Sequence, residues 1–304
     1  MRLRIAKRQR AFVAARLLLA SACLTRMLAA QPAKLKVYIS VDMEGIAGVV
    51  ANHQTGPGGH EYEWARRLMT AEANAAIGAA FEAGATEVLV NDSHGSQTNL
   101  HPDDVDKRAS LITGQPKPMG MTQGLDSTFD AAIYIGYHAH GSEAASVLGH
   151  TFSGALKHVR INGTEVGEYG LNGMVAGHFG VPVVLISGDD KIAAEAKAFF
   201  PGIEAVVVKQ GIAMTAARTL HPEEARTRIA AGVKAALGRR ASIRATRIAT
   251  PVTLEIELGQ MAWADAAANV PGMTRVNGLT VRYVAPDGLT AYRVSRVIMA
   301  LARD

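Results

Sequence analysis

Asp42 and Glu44 stand two residues apart at the end of LKVYISVDMEG, residues 35 to 45. An extended chain puts residues two apart on one face, so both carboxylates would point into one small volume. Like charges that close repel unless a proton or a cation lies between them. Three other apolar runs also end in polar residues: TEVLVNDSH (86–94) in Asp92 and His94, AAIYIGYH (131–138) in His138, and VPVVLISGDD (181–190) in Asp189 and Asp190. Asp42, Glu44, His94 and His138 are the first four candidate ligands. Glu168 is the fifth, just beyond a hairpin expected around Asn162 and Gly163 in VRINGTEVGEYG. Carboxylates and imidazoles converging in this way suit a hard to borderline metal such as zinc. Two carboxylates on one strand end suggest two ions, because one carboxylate can bridge a pair about 3.5 to 4 Å apart.

Taken singly, each residue has a structural explanation. Asp42 or Asp92 could cap a following helix. His94 or His138 could be a hydrogen-bonded core histidine, and Glu168 could occupy a helix's first turn, where the dipole favours it. Their equivalent placement is what joins them. His150, in LGHTF, lies outside every strand expected here. It reads either as a loop histidine, like His53, His101 and His158, or as the general acid or base that a hydrolytic metal site needs. TGPGGH (55–60) is glycine-rich but lacks the Gly-Lys-Ser/Thr ending of a phosphate loop, and reads as a loop.

The elements that must position these residues alternate. Short β-branched runs end in the polar residues, and helical segments at 60–85 and 168–180 separate them, each closing near a glycine. That alternation predicts an α/β fold, a mainly parallel sheet flanked by helices. Such sheets bind ligands beyond the carboxyl ends of their strands, where the polar residues fall. Residues 31–200 are therefore expected to form the metal-binding catalytic domain. Residues 201–304 read as a smaller α+β portion: a helix with Pro222 in its first turn, the strand-like ATPVTLEIEL, a hairpin signalled by Asn277-Gly278, and a final helix from Gly288.

Residues 1–30 have the layout of a secretory signal peptide. MRLRIAKRQR is basic, an apolar stretch follows, and small residues precede a cleavage site after Ala30. LASAC also resembles a lipoprotein site at Cys23. Secretion or a periplasmic location is the expectation. This leader holds seven of the 32 Lys and Arg and none of the 27 acids, leaving 25 against 27. The pI of 9.4 is largely its doing, so charge gives no reason to expect a nucleic-acid partner. Cys23 is the only cysteine, so the mature chain has no disulfide, cysteine nucleophile or zinc–cysteine cluster. After residue 35 no run approaches the roughly 18 apolar residues of a membrane helix.

SVDMEG, VNDSH, GYHA, LGH and VGEYGLN occur in the order and spacing of the DppA-type D-aminopeptidases, which this chain resembles from about Lys36 to its C-terminus. MTAEAN, GLD, SGDD and PGM extend the similarity. The resemblance implies two zinc ions per subunit: Asp42 bridging them, Glu44 and His94 completing one set of ligands, His138 and Glu168 the other. It puts His150 at the catalytic histidine and implies a homo-oligomer, a decameric ring with active sites facing an inner chamber. The implied activity is removal of N-terminal D-residues such as D-Ala from short peptides. Two rivals remain from the residues alone. One is an exported metal-dependent amide or ester hydrolase of another substrate class, the other a periplasmic solute-binding protein.

Overall fold

The computed structural model describes residues 34–302. The expected leader, with Cys23, lies outside the described residues. Seven strands form the first sheet: β1 (Lys36–Val41), β2 (Glu87–Asp92), β3 (Ser110–Ile112), β4 (Ala131–Tyr137), β7 (Val183–Asp189), β8 (Glu204–Ala213) and β9 (Ala216–Thr219). Their order is β3-β2-β1-β4-β7-β8-β9. Every pairing is parallel except β8 with β9. The chain runs outward from β1 in both directions, so the strand order reverses between β1 and β4, the place where open α/β sheets bind ligands.

Alternation along β1 explains how two cores share this sheet. Val37, Ile39 and Val41 face a core built with α1 (Tyr62–Glu82) and α4 (Pro222–Gly238), whereas Tyr38 faces the other core. On α1 the contact is made through Ala65, Met69, Ala73, Ala76, Ile77 and Ala80, at helical spacing. Small alanines let the helix lie close to the strands. The second core holds α2 (Glu168–Phe179), which is buried on every side as far as Gly177, together with residues of α5 (Met261–Ala267) and α6 (Gly288–Leu301). A second sheet completes it: β5 (Leu156–Ile161), β6 (Thr164–Glu165), β10 (Val252–Leu258), β11 (Met273–Arg275) and β12 (Thr280–Ala285), antiparallel in the order β11-β12-β10-β5-β6.

The fold is α/β with a mainly parallel sheet flanked by helices. The expected hairpin at Asn162-Gly163 joins β5 to β6, both residues at positive φ (49° and 82°). His158 lies on β5 rather than in a loop. The two sheets do not part the chain at residue 200. β8, β9 and α4 come from beyond it and serve the first sheet, while β5 and β6 come from before it and belong to the second. Among the described residues, no helix is long and apolar enough to cross a membrane.

Candidate metal centre

β1 delivers Asp42 while the strand ladder is still intact, for the Asp42 amide donates to Ile135 O at 2.8 Å. The chain then turns sharply against the end of β4. Gly45 N–H donates to Gly136 O at 2.7 Å, and a Cβ on residue 45 would fall 2.0 Å from Tyr137 O. Glycine is required there by close approach of two backbones. The turn brings Glu44 back beside Asp42.

The His94 loop is folded by Asp92. Its carboxylate accepts the amides of Asn99 (2.5 Å) and Leu100 (2.8 Å), and Asn99 Nδ2 donates both to Asp92 and, at 2.6 Å, to His94 O. Asp189 works in the same way. It caps α3 (Asp190–Phe199) through Lys191 and Ile192, and it accepts the amide of Val147 in the segment leading to His150. These two aspartates end strands as Asp42 does, yet they are engaged in shaping loops.

Five of the candidate residues are almost wholly buried and come together: Asp42, Glu44, His94, His138 and Glu168 are each at most 6% exposed. They fall into two donor groups. His94 Nδ1 lies 3.1 Å from Asp42 Oδ1 and 2.9 Å from Glu44 Oε2. His138 Nε2 lies 3.5 Å from Asp42 Oδ2 and 3.5 Å from Glu168 Oε2. Asp42 thus offers one oxygen to each group. His150 joins the second: its ring stacks on His138 with centroids 4.3 Å apart, and Nε2 is 3.6 Å from Glu168 Oε1. Glu168 opens α2, and Phe152 N–H fixes its Oε1 at 2.6 Å.

Backbone carbonyls set the tautomers, because a carbonyl only accepts. Thr55 O takes the Nε2 proton of His94 (2.6 Å), Ala139 O the Nδ1 proton of His138 (3.0 Å), and Leu148 O the Nδ1 proton of His150 (2.9 Å). In each neutral ring the lone pair then faces carboxylate oxygens. Such second partners orient metal-binding histidines. Asp42 Oδ2 and His138 Nε2 are buried with no hydrogen-bond partner, which is costly unless a cation stands between them. The electrostatics agree. Burial lowers His94 and His138, but the carboxylates of Glu44 and Asp42, and of Glu168 and Asp42, outweigh it and hold both rings well above the histidine range. Burial and the neighbouring Glu44 raise Asp42. Burial also works to raise Glu44, yet His94 prevails and holds it well below the carboxylate range. The residue set fits a divalent cation.

The cleft above these residues has a volume of about 130 Å³ and is lined also by Phe152, Arg296 and Met299. A larger hollow of about 290 Å³ beside α1, lined by Glu63 and Arg66, is no rival, since none of the candidate ligands lines it. Two other donor groups occur among the described residues, His53–His60–Glu61 and His140–Glu143–Glu195, both more exposed. Two buried lysines, absent from the residues the sequence marks, hold the loops. Lys209 of β8 donates to the carbonyls of Glu44, Ile46 and Val49, and Lys117 donates to Asn91 Oδ1 and Asp92 O. Neither lies near a recognisable motif, so no local signal marked them.

Comparison with known proteins bears on what this arrangement does. The chain is 39% identical over 269 residues to a D-aminopeptidase of Bacillus subtilis (strain 168), an alignment covering 88% of this chain and 98% of that one. Among solved structures it resembles the Zn-dependent D-aminopeptidase DppA from Bacillus subtilis, a self-compartmentalizing protease. The TM-score is 0.86 at 38% identity, over 88% of this chain and 98% of the other. A family model described as D-aminopeptidase matches residues 35–297, a span that takes in both donor groups, His150 and both sheets, and the chain belongs to that family of peptidases.

Proposed function

We propose that the protein is an exported, zinc-dependent aminopeptidase that removes N-terminal D-residues, D-Ala among them, from short peptides. The observation that carries the metal assignment is Asp42, which gives one buried oxygen to each donor group, one of them with no hydrogen-bond partner. Asp42, Glu44 and His94 would hold one zinc ion, and Asp42, His138 and Glu168 a second, with Asp42 shared. Ions bound there would polarise the scissile carbonyl and lower the pKa of a water molecule.

The chain's own groups do the rest. His150 keeps its Nδ1 proton on Leu148 O, so Nε2 is free to take a proton from the attacking water and return it to the departing amine. Phe152 N–H keeps Glu168 from swinging out of its group.

Export rests on the basic, apolar and small-residue pattern of residues 1–30, which precede the family match. An exporting host should yield mature protein beginning near Gln31, and soluble active protein that retains Met1 would remove that part of the proposal. We also propose a homo-oligomer, with a decameric ring as its form; that a similar protein is self-compartmentalizing supports assembly.

The activity is tested by a panel of D- and L-aminoacyl amides, matching esters, free dipeptides and N-acetylated dipeptides. Release of D-residues from free but not acetylated substrates is the expected result. Equal rates for D and L would remove the stereochemical assignment. Cleavage of esters alone would make the protein a hydrolase of another class.

A further inference from the structure

We infer that Arg296 receives the free α-carboxylate of the peptide, which makes the cleft selective for short substrates with an unblocked C-terminus; this rests on the aminopeptidase reading. Arg296 lies on α6 and lines the same cleft as Asp42, Glu44, His94 and Glu168. It also lines an adjoining hollow of about 600 Å³, so it stands where the two meet.

Its guanidinium is held in place by apolar and backbone surfaces. The Phe152 ring lies below it, with Cζ 5.6 Å from the ring centroid. Gly120, at φ 47°, lies on another side, and a Cβ there would sit 2.8 Å from Cζ and 2.9 Å from Nε. Only a glycine lets the guanidinium seat there without displacement.

Its donors are almost unused. A guanidinium carries five N–H groups and a permanent charge. Among the described residues, the hydrogen bond Arg296 makes is from Nη1 to Met299 Sδ at 3.6 Å, a weak acceptor, and it takes part in no ion pair. Lys117, by contrast, is already engaged by Asn91 and Asp92. Arg296 is therefore a half-buried cation lining the metal cleft, with most of its donors unengaged within the chain.

Phe152 links the two ends of the cleft. Its amide fixes Glu168 Oε1, its ring supports Arg296, and it adopts φ 59°, a strained conformation for a residue with a side chain. One residue thus sets the position of the guanidinium relative to the donor groups. A substrate cut at its N-terminus has one other fixed charge, the terminal carboxylate, and in a cleft of about 130 Å³ a short peptide keeps that charge inside. The planar, bidentate match of guanidinium to carboxylate is the pairing such a site would use.

The test compares D-Ala-D-Ala with D-alanyl-D-alaninamide in the full chain and in Arg296→Gln and Arg296→Lys. Loss of a charge-assisted pair should raise KM for the acid about 10- to 100-fold in Arg296→Gln, with the amide changed less than about 3-fold. Arg296→Lys should recover part of the loss. A second readout is calorimetric binding of the non-hydrolysable reduced-amide isostere of D-Ala-D-Ala and of that isostere's C-terminal amide. The parent should prefer the acid and Arg296→Gln should not. Equal losses on acid and amide, or no change on either, would overturn the assignment. If the parent hydrolyses neither substrate, the aminopeptidase reading fails, and the binding preference still decides the role of Arg296.

Discussion

Asp42 differs from its neighbours in having each oxygen turned towards a different imidazole, and that arrangement could be anticipated in part. Carboxylate and histidine types at strand ends marked Asp42, Glu44, His94 and His138, and Glu168 followed from the hairpin before it. The sequence could not separate these from Asp92 and Asp189, which have the same chemistry at equivalent strand ends. Their partners are mainly backbone amides, of Asn99 and Leu100 for Asp92 and of Val147, Lys191 and Ile192 for Asp189, and backbone amides carry no sequence signature. Arg296 could not be foreseen either, because it reaches the cleft from the last helix. His150 yields the sharpest test at this scale. Its side chain is 28% exposed, against 1% for His138, so it sits on the solvent side of the second donor group. His150→Ala should keep its zinc, fold and oligomeric state and lose on the order of 10²- to 10⁴-fold in kcat. Turnover near that of the parent would remove it from the mechanism, and lost zinc would make it a ligand.

Elements hold the metal loops from the rear through buried charge. Glu72 of α1 accepts the Ala47 amide at 2.9 Å, and Lys209 of β8 grips the carbonyls of the same turn. Burial pushes Glu72 from 4.5 up to about 7. The folded state then keeps a proton that the unfolded chain releases, so Glu72's contribution to stability is full below about pH 4.5. It is lost as pH rises towards 7, a change of roughly 3 kcal/mol. Glu72→Gln removes that titration. Urea unfolding at pH 5 and pH 7.5 should show the variant gaining on the parent by about 2 kcal/mol at the higher pH; parallel behaviour would mean that Glu72 ionises normally. The elements themselves were largely readable. Asn162-Gly163 and Asn277-Gly278 marked both hairpins, and Pro222 marked the start of α4. The second sheet was not readable as a unit, because β5 pairs with β10 across a long stretch of chain. Alternation reports a strand's faces but not its partner.

At the scale of the whole molecule, the β8–β9 hairpin leaves Ile212 67% and Met214 58% exposed, while Met214 O accepts the Leu148 amide two residues before His150. Large apolar side chains left in water favour burial against another copy. Ile212→Asp combined with Met214→Asp should lower the mass measured by light scattering and leave the secondary structure intact; an unchanged mass would place the interface elsewhere. Asp42 is proposed to stand between two ions. Anomalous diffraction at the zinc edge, from crystals of the full chain, tests it most directly. Two peaks are expected flanking the Asp42 carboxylate, about 3.5 to 4 Å apart, one beside His94 and the other beside His138. A single peak, or peaks only at His53–His60–Glu61 or His140–Glu143–Glu195, would contradict it.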